Sequence, residues 1–276
     1  MNPIARWIGR KLADYLTRPV GASSATTSDP DALAAALQPG DVLLVEGNTR
    51  ISAAIKYLTQ STWSHATLYV GRRPELPAID GEPAELIEAD LKHGVRAVAL
   101  SMYATLHTRI CRPVGLTDED RERVIRFAIE RIGYRYDLRN VFDLARYLLR
   151  TPPVPAQYRR RLLALGSGDP TRAICSTLIA QAFQSVRYPI LPEVTREKLA
   201  DPHCSQCYRE YLHIRHHSLY APRDFDISPY FRIVKPTLER GFDYRRLQWA
   251  DRIEGAEPAL ITARGATREP ARPTTH

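Results

Sequence analysis

Five short apolar segments between residues 42 and 114 constrain the fold more than any other feature of this chain. Each has the length of a β-strand, and several are separated by only a few residues. Short connections favour antiparallel pairing, because parallel strands need a long crossover between them. The sequence therefore predicts a largely antiparallel sheet, with strands at 42–45, 64–71, 85–89, 95–100 and 108–114 and a closing strand at 231–234.

Two of these predicted strands carry an ionisable side chain on a defined face. Along 64–71 apolar and polar side chains alternate, which places His65 at the start of the strand on its more polar face. In the strand at 85–89, Glu88 lies on the face opposite its apolar neighbours, and the pleat puts Glu85 on the other face from Glu88. An imidazole and a carboxylate are therefore available on the sheet.

Apolar residues at helical spacing predict helices at 31–37, 51–58, 117–132, about 139–150 and 173–183. The last of these has a buried stripe made by Ile174, Leu178, Ile179, Ala182 and Phe183, with Ser176, Thr177 and Gln181 off it. The helix at 51–58 carries Ile51, Ile55 and Leu58 at helical spacing, and the helix at 117–132 is expected to bury Val124, Ile125, Ala128, Ile129 and Ile132. Residues 187–217 show no clear periodicity. Strands followed by helices indicate an α+β domain whose sheet packs against helices.

Cys175 lies near the start of the last predicted helix, where partial positive charge favours a thiolate. A lone cysteine beside an apolar stripe is more often structural than reactive, so this residue matters only if the chain supplies a base for it. The four cysteines, at 111, 175, 204 and 207, do not form a disulfide framework. We therefore expect reduced thiols and a cytoplasmic location.

The residues His65, Glu88 and Cys175 fit thiol acyl transfer. A thiol with an ordinary pKa of about 8.5 is only slightly ionised at neutral pH, so a reactive cysteine needs an adjacent base or cation. An imidazole can hold the thiolate and then give its proton to a leaving group. A carboxylate on the other ring nitrogen would orient that imidazole.

Several segments in the same order resemble the YiiX/YebB-like branch of the permuted NlpC/P60 (papain-like) superfamily. They are Pro39-Gly40-Asp41-Val42-Leu43-Leu44, Ser64-His65-Ala66-Thr67-Leu68-Tyr69-Val70-Gly71, Leu86-Ile87-Glu88-Ala89, Gly133-Tyr134-Arg135-Tyr136-Asp137, Cys175-Ser176-Thr177-Leu178-Ile179 and Leu219-Tyr220-Ala221-Pro222-Arg223-Asp224-Phe225. The resemblance implies a circularly permuted papain-like fold with Cys175 as nucleophile, His65 as base and Glu88 as orienting acid. It also implies a cysteine peptidase or amidase without a metal or organic cofactor, and a loop at 170–173 before the cysteine helix.

The two ends of the chain are expected to differ from the domain at 31–250. Residues 1–30 are predicted to form a basic amphipathic helix, at 4–16, and a flexible linker, and 251–276 a disordered tail. The helix would pack on the domain or rest on an anionic membrane surface. No apolar run is long enough to span a membrane. The net charge of +8 supports weak attraction to anionic partners, but no nucleic-acid-binding motif accompanies it.

Three functions are consistent with these features. The first is a thiol hydrolase of amide or peptide bonds. The second is a membrane-surface lipid acyl hydrolase or acyltransferase, which the basic amphipathic helix and the arginine-rich stretch 151–172 suggest. The third is a non-catalytic basic binding protein on the same scaffold.

Cys204 and Cys207 have metal-ligand spacing, but a single such pair does not provide the usual four zinc ligands, so we predict no metal site.

Overall fold

An antiparallel sheet forms the centre of the protein in the computed structural model, which describes residues 14–19, 29–90, 92–134, 174–198 and 208–246. The strands are β1 Val42–Glu46, β2 His65–Tyr69, β3 Ala78–Ile79, β4 Glu82–Asp90, β5 Gly94–Ala99, β6 His107–Pro113, β7 Glu193–Lys198, β8 Tyr208–His213 and β9 Phe231–Val234. The helices are α1 Pro30–Ala36, α2 Arg50–Thr59, α3 Asp118–Ile129, α4 Ile174–Ser185, α5 Pro222–Asp226 and α6 Pro236–Glu239. The chain divides into two compact units, 1–241 and 242–276, and all of these elements belong to the first.

The main sheet has the strand order β3-β4-β2-β1-β6-β9, with β5 paired to β4. Every pairing in it is antiparallel, which confirms the predicted pairing direction. The five predicted strands and the closing strand are all present. Because β2 and β4 are neighbours in this order, Leu68 lies opposite Ile87 and Tyr69 opposite Leu86.

Both faces of the sheet are covered, so its central strands are buried on both sides. On one face Leu44, Leu68 and Ile87 pack against the helices α3 and α4. On the opposite face Leu43 and Leu86 pack against α1 and the short 3-10 helix Leu100–Tyr103. The alternation predicted for 64–71 is confirmed, because Ala66 and Leu68 lie in the first of these cores and Tyr69 in the second.

Helix α4 carries Cys175 and is buried from there to Phe183, except at Gln181, which is half-buried. Leu178, Ile179, Ala182 and Phe183 are each at most 1% exposed, as the apolar stripe predicts. Ser176 and Thr177 are buried as well, although the pattern places them off the stripe. The helix packs against both α3 and the strands β2 and β4, so more than one of its faces is covered.

The structure adds details of burial and secondary structure that the sequence patterns do not give. In α2 the buried residues are Ser52 and Ala54, whereas Ile51, Ile55 and Leu58 are only half-buried. Small residues face inward because the helix approaches Gly47 so closely that a Cβ there would lie 2.2 Å from Ser52 Oγ.

Helix α3 ends at Ile129, and Ile132 is 36% exposed rather than buried. The aperiodic stretch 187–217 contains the hairpin of β7 and β8, whose described side chains are exposed. A strand pair without a buried face leaves no alternating pattern in the sequence.

Several predictions fall outside the described residues and remain predictions. They concern the helix at 4–16 except for its last three residues, the helix near 139–150, the stretch 151–172, the loop at 170–173, the pair Cys204 and Cys207, and the tail. In the described part of the chain, no helix is both long and apolar enough to cross a membrane.

Candidate active site

His65 and Glu88 come together because they lie on neighbouring strands and on the same face of the sheet. Leu68 pairs with Ile87, and continuing this register along β2 and β4 puts Glu88 opposite Thr67. Thr67 is two residues from His65 on the same strand. Diagonal neighbours on one face are within reach of long side chains. The Nε2 atom of His65 lies 2.5 Å from Oε2 of Glu88, so the imidazole donates a hydrogen bond to the carboxylate.

Glu88 is 3% exposed and is surrounded by donors. Its Oε2 also accepts a hydrogen bond from the hydroxyl of Tyr103, and its Oε1 accepts from Arg96 through Nε at 2.9 Å and Nη2 at 2.7 Å. Burial by itself raises the pKa of this carboxyl. The charge and hydrogen bond of His65, the hydrogen bond of Tyr103 and the charge of Arg96 outweigh it and lower the pKa from 4.5 to about 2. Glu88 is therefore held as a carboxylate.

Cys175 is the second residue of α4 and is 5% exposed. Its thiol lies 3.9 Å from Ser176 Oγ, and it is close enough to His65 and to the backbone N–H of Ala66 for both groups to lower its pKa. Although strand alternation puts His65 on the face opposite Ala66, His65 is the first residue of β2. Its ring therefore lies at the end of the sheet, where it reaches the thiol.

The pKa values of this pair move in opposite directions. Burial raises the pKa of Cys175, but the charge and hydrogen bond of His65, with the Ala66 N–H and Ser176, lower it below the ordinary value. Burial lowers the pKa of His65, but the charges of Cys175 and Glu88 raise it well above 6.5. Both shifts favour a thiolate beside an imidazolium.

Cys111 shows what a buried cysteine is like without such neighbours. It lies on β6 in the core between the sheet and the helices and is fully buried. Burial, with a further contribution from Asp226, raises the pKa of this thiol far above its usual range. Of the two free cysteines among the described residues, only Cys175 has a base beside it.

The structure thus brings together all three residues singled out in the sequence and adds two that were missed, Arg96 and Tyr103. Arg96 lies directly opposite Glu88 in the β4–β5 hairpin. The two positions lie at equal distances from the turn between these strands. The hairpin predicted by the sequence could therefore have identified Arg96 as the partner of Glu88. Tyr103 lies on the 3-10 helix after β5, and no local pattern connects it to Glu88.

The sequence model of the permuted papain-like amidase enzymes, YaeF/YiiX family, matches residues 36–147. Over this range the chain is similar to the YiiX-like family. The matched range includes His65 and Glu88 and ends before Cys175. The mixed α/β architecture, with an antiparallel sheet packed against helices, agrees with the permuted papain-like fold of the family, which is one of cysteine amidases and peptidases.

The chain is also similar to a solved structure, the metalloprotein YiiX from Escherichia coli O157:H7. The two are 17% identical, with a TM-score of 0.43, and the similarity covers 72% of this chain and 97% of that one. A search of curated proteins finds no match. In the described part of this chain, no three His, Cys, Asp or Glu side chains are grouped so that they could hold a metal ion.

Proposed function

We propose that this protein is a cysteine-dependent hydrolase of amide or peptide bonds, with Cys175 as nucleophile, His65 as base and Glu88 as the orienting acid. The observation that carries the proposal is the position of His65, which contacts Glu88 at 2.5 Å and lies close enough to the Cys175 thiol to lower its pKa. The match to a family of permuted papain-like amidases supports the same chemistry.

In the proposed reaction the Cys175 thiolate attacks the carbonyl carbon of the amide and forms a carbon–sulfur bond. The His65 imidazolium gives its proton to the amine nitrogen as the carbon–nitrogen bond breaks, which releases the amine and leaves a thioester. Water then attacks the thioester carbonyl while His65 takes its proton. The carbon–sulfur bond breaks, and a carboxylic acid leaves the restored thiolate.

Glu88 acts on this reaction through His65. Since Glu88 holds Nε2 of the ring, Nδ1 is the nitrogen left to exchange a proton with the thiol. A negative carboxylate at one nitrogen stabilises the positive ring that the first step requires. Arg96 and Tyr103 in turn hold the carboxylate in place from both of its oxygens.

Thiol labelling tests the assignment of the nucleophile. With iodoacetamide at pH 6 and peptide mapping by mass spectrometry, we expect alkylation of Cys175 in the full-length protein much faster than of Cys111. The reason is that the pKa of Cys175 is lowered and that of Cys111 is raised. Replacement of Cys175 by alanine should remove this fast labelling, while Cys111→Ala should preserve it. Labelling of Cys111 as fast as of Cys175 would contradict the proposal.

Tyr103→Phe tests the positioning role of the tyrosine. Loss of one hydrogen bond to the buried carboxylate should lower kcat about tenfold and leave KM unchanged, because Tyr103 contacts Glu88 rather than substrate. Tyr69→Phe is the matched control, since Tyr69 is buried in the same core, and its kcat should be that of the wild type. An equal loss of kcat in both variants would show that Tyr103 acts only through stability.

A further inference from the structure

A pocket opens on the sheet face that packs against the cysteine helix, around Glu46 on β1, the neighbour of the strand that carries His65, and Arg109 on β6. Its volume is about 640 Å³, which is large enough for a residue-sized group. We call it the cationic pocket and define it by Glu46, Lys56, Trp63, Arg109, Arg223 and Asp226, with His107 beside them. No step of the proposed hydrolysis uses these side chains.

The sheet register relates this pocket to the strand that carries His65. Val45 pairs with His65, and Glu46, the next residue of β1, pairs with His107 on β6. Neighbouring strands are about 4.8 Å apart, so β6 lies about 10 Å from the strand that carries His65. Trp63, in the wall of the pocket, precedes His65 by two residues.

Both carboxylates of the pocket are already occupied by donors from its wall. Glu46 accepts from Lys56 Nζ at 3.0 Å and pairs with His107 Nδ1 at 3.1 Å. Asp226 accepts from Arg109 Nη1 at 2.7 Å and from the indole N–H of Trp63 at 3.1 Å. Neither acid is therefore available to a cationic ligand.

The cations, in contrast, keep donors to spare. Arg223 donates through Nη1 to the carbonyl of Thr59 at 3.0 Å and forms no ion pair with a carboxylate among the described residues. Arg109 uses one of its N–H groups on Asp226 and is partly exposed. A guanidinium offers five N–H donors in a planar fork that matches a carboxylate or a phosphate.

The side chains of the pocket carry a net positive charge. Lys56, Arg109 and Arg223 carry three positive charges against the two negative charges of Glu46 and Asp226, even with His107 neutral. We propose that the cationic pocket binds an oxyanion group of the substrate, a carboxylate or a phosphate, while the amide bond of that substrate lies at Cys175. This inference rests on the proposed hydrolase function.

The spacing restricts the substrate further. An extended peptide advances at most about 3.5 Å per residue, so about three residues span the 10 Å between the two strands. A peptide substrate would therefore carry an acidic side chain or its terminal carboxylate about three residues from the scissile bond. A substrate with a phosphate at the same distance would satisfy the same donors.

Binding is tested in the full-length Cys175→Ala protein, which cannot turn substrate over. The probes are sodium phosphate and sodium acetate at constant ionic strength, and the readout is the NMR signal of the Trp63 indole N–H, assigned with Trp7→Phe and Trp249→Phe. We expect a saturable shift with at least one anion. Arg223→Gln should weaken that binding about tenfold, because it removes a charge-assisted hydrogen bond.

The matched control is Arg72→Gln, since the Arg72 side chain is 80% exposed and pairs with Glu85 away from the pocket. Lys56→Gln serves as a second variant if Arg223→Gln does not fold. A shift with phosphate alone would indicate a phosphate-bearing substrate, and one with acetate a carboxylate. No saturable shift with either anion, or the same affinity in the pocket variants and the control, would overturn the proposal.

Labelling then tests whether the anion site belongs to the substrate path. Two chloroacetyl tripeptides, one with a free carboxylate and one with a carboxamide, alkylate Cys175 as its thiolate displaces chloride. The carboxylate probe should label about tenfold faster, and Arg223→Gln should remove the difference while Arg72→Gln keeps it. Equal rates for the two probes would overturn the subsite. Failure of both to label Cys175 would overturn the hydrolase and the subsite, while the anion titration would still decide whether the pocket binds oxyanions.

Discussion

Replacement of His65 by alanine is expected to lower kcat by about 10,000-fold or more, the size of effect seen when a base is removed from a nucleophile–base–acid set. His65 is the main group that offsets the burial of the Cys175 thiol, so its loss returns the thiol pKa to its ordinary value or above. The pH at which iodoacetamide labelling of Cys175 is half-maximal should therefore move upward. Both quantities can be measured on the purified full-length protein.

The control for this variant is His213→Ala. His213 is an exposed histidine on β8 that bonds Thr195, so its loss should leave the rate and the labelling profile unchanged. A His65→Ala protein that still labels at pH 6 as fast as the wild type would show that another group holds the thiolate. In that case the assignment of His65 as the base would be wrong.

Replacement of Glu88 by alanine should lower kcat about 1,000-fold, because His65 then loses the acceptor that orients it and stabilises its charge. The kcat of the Glu88→Gln variant should lie between that of the alanine variant and that of the wild type. The donors Tyr103 and His65 meet one carboxylate oxygen and Arg96 the other, so an amide, which has only one acceptor oxygen, cannot satisfy both sides. Glu85→Ala is the control, since Glu85 pairs with the exposed Arg72.

The same residue should also control stability in acid. Because the folded-state pKa of Glu88 is lowered from 4.5 to about 2, its ionised form stabilises the fold. That contribution, on the order of 3 kcal/mol, is complete above the unfolded-state value and is lost as the pH falls toward 2. Urea unfolding should show a gap between wild type and Glu88→Gln that is wide at pH 7 and shrinks in acid. A gap independent of pH would contradict the assigned pKa.

The sequence was sufficient to predict the strands and the faces on which their side chains lie. Alternation along a strand is a local property of the pleated backbone, so the side of its own strand on which His65 or Glu88 lies followed from parity alone. The same holds for the stripe of α4, because its period of 3.6 residues reflects helix geometry. These features do not depend on which elements pack against them. The register of β2 against β4, in contrast, decided that the side chains of His65 and Glu88 share one face of the sheet.

Other features of the protein could not be predicted from local sequence patterns. Ser176 and Thr177 are buried because α3 and the sheet cover more than one face of α4. In α2 Ser52 approaches Gly47 closely, so the small residues Ser52 and Ala54 are buried while Ile55 is half-buried. The hydroxyl of Tyr103 meets Glu88 only because a 3-10 helix folds over that face of the sheet.

By itself the sequence determined which residue types the chain offers for thiol chemistry and on which strand faces and helix they lie, because backbone periodicity is set by each element alone. Only the tertiary structure decided that Cys175, rather than Cys111, has a lowered pKa. The physical reason is that charge–charge and hydrogen-bond energies depend on distances of a few ångströms between elements far apart in the chain. Those distances arise when α4, β2 and β4 pack together.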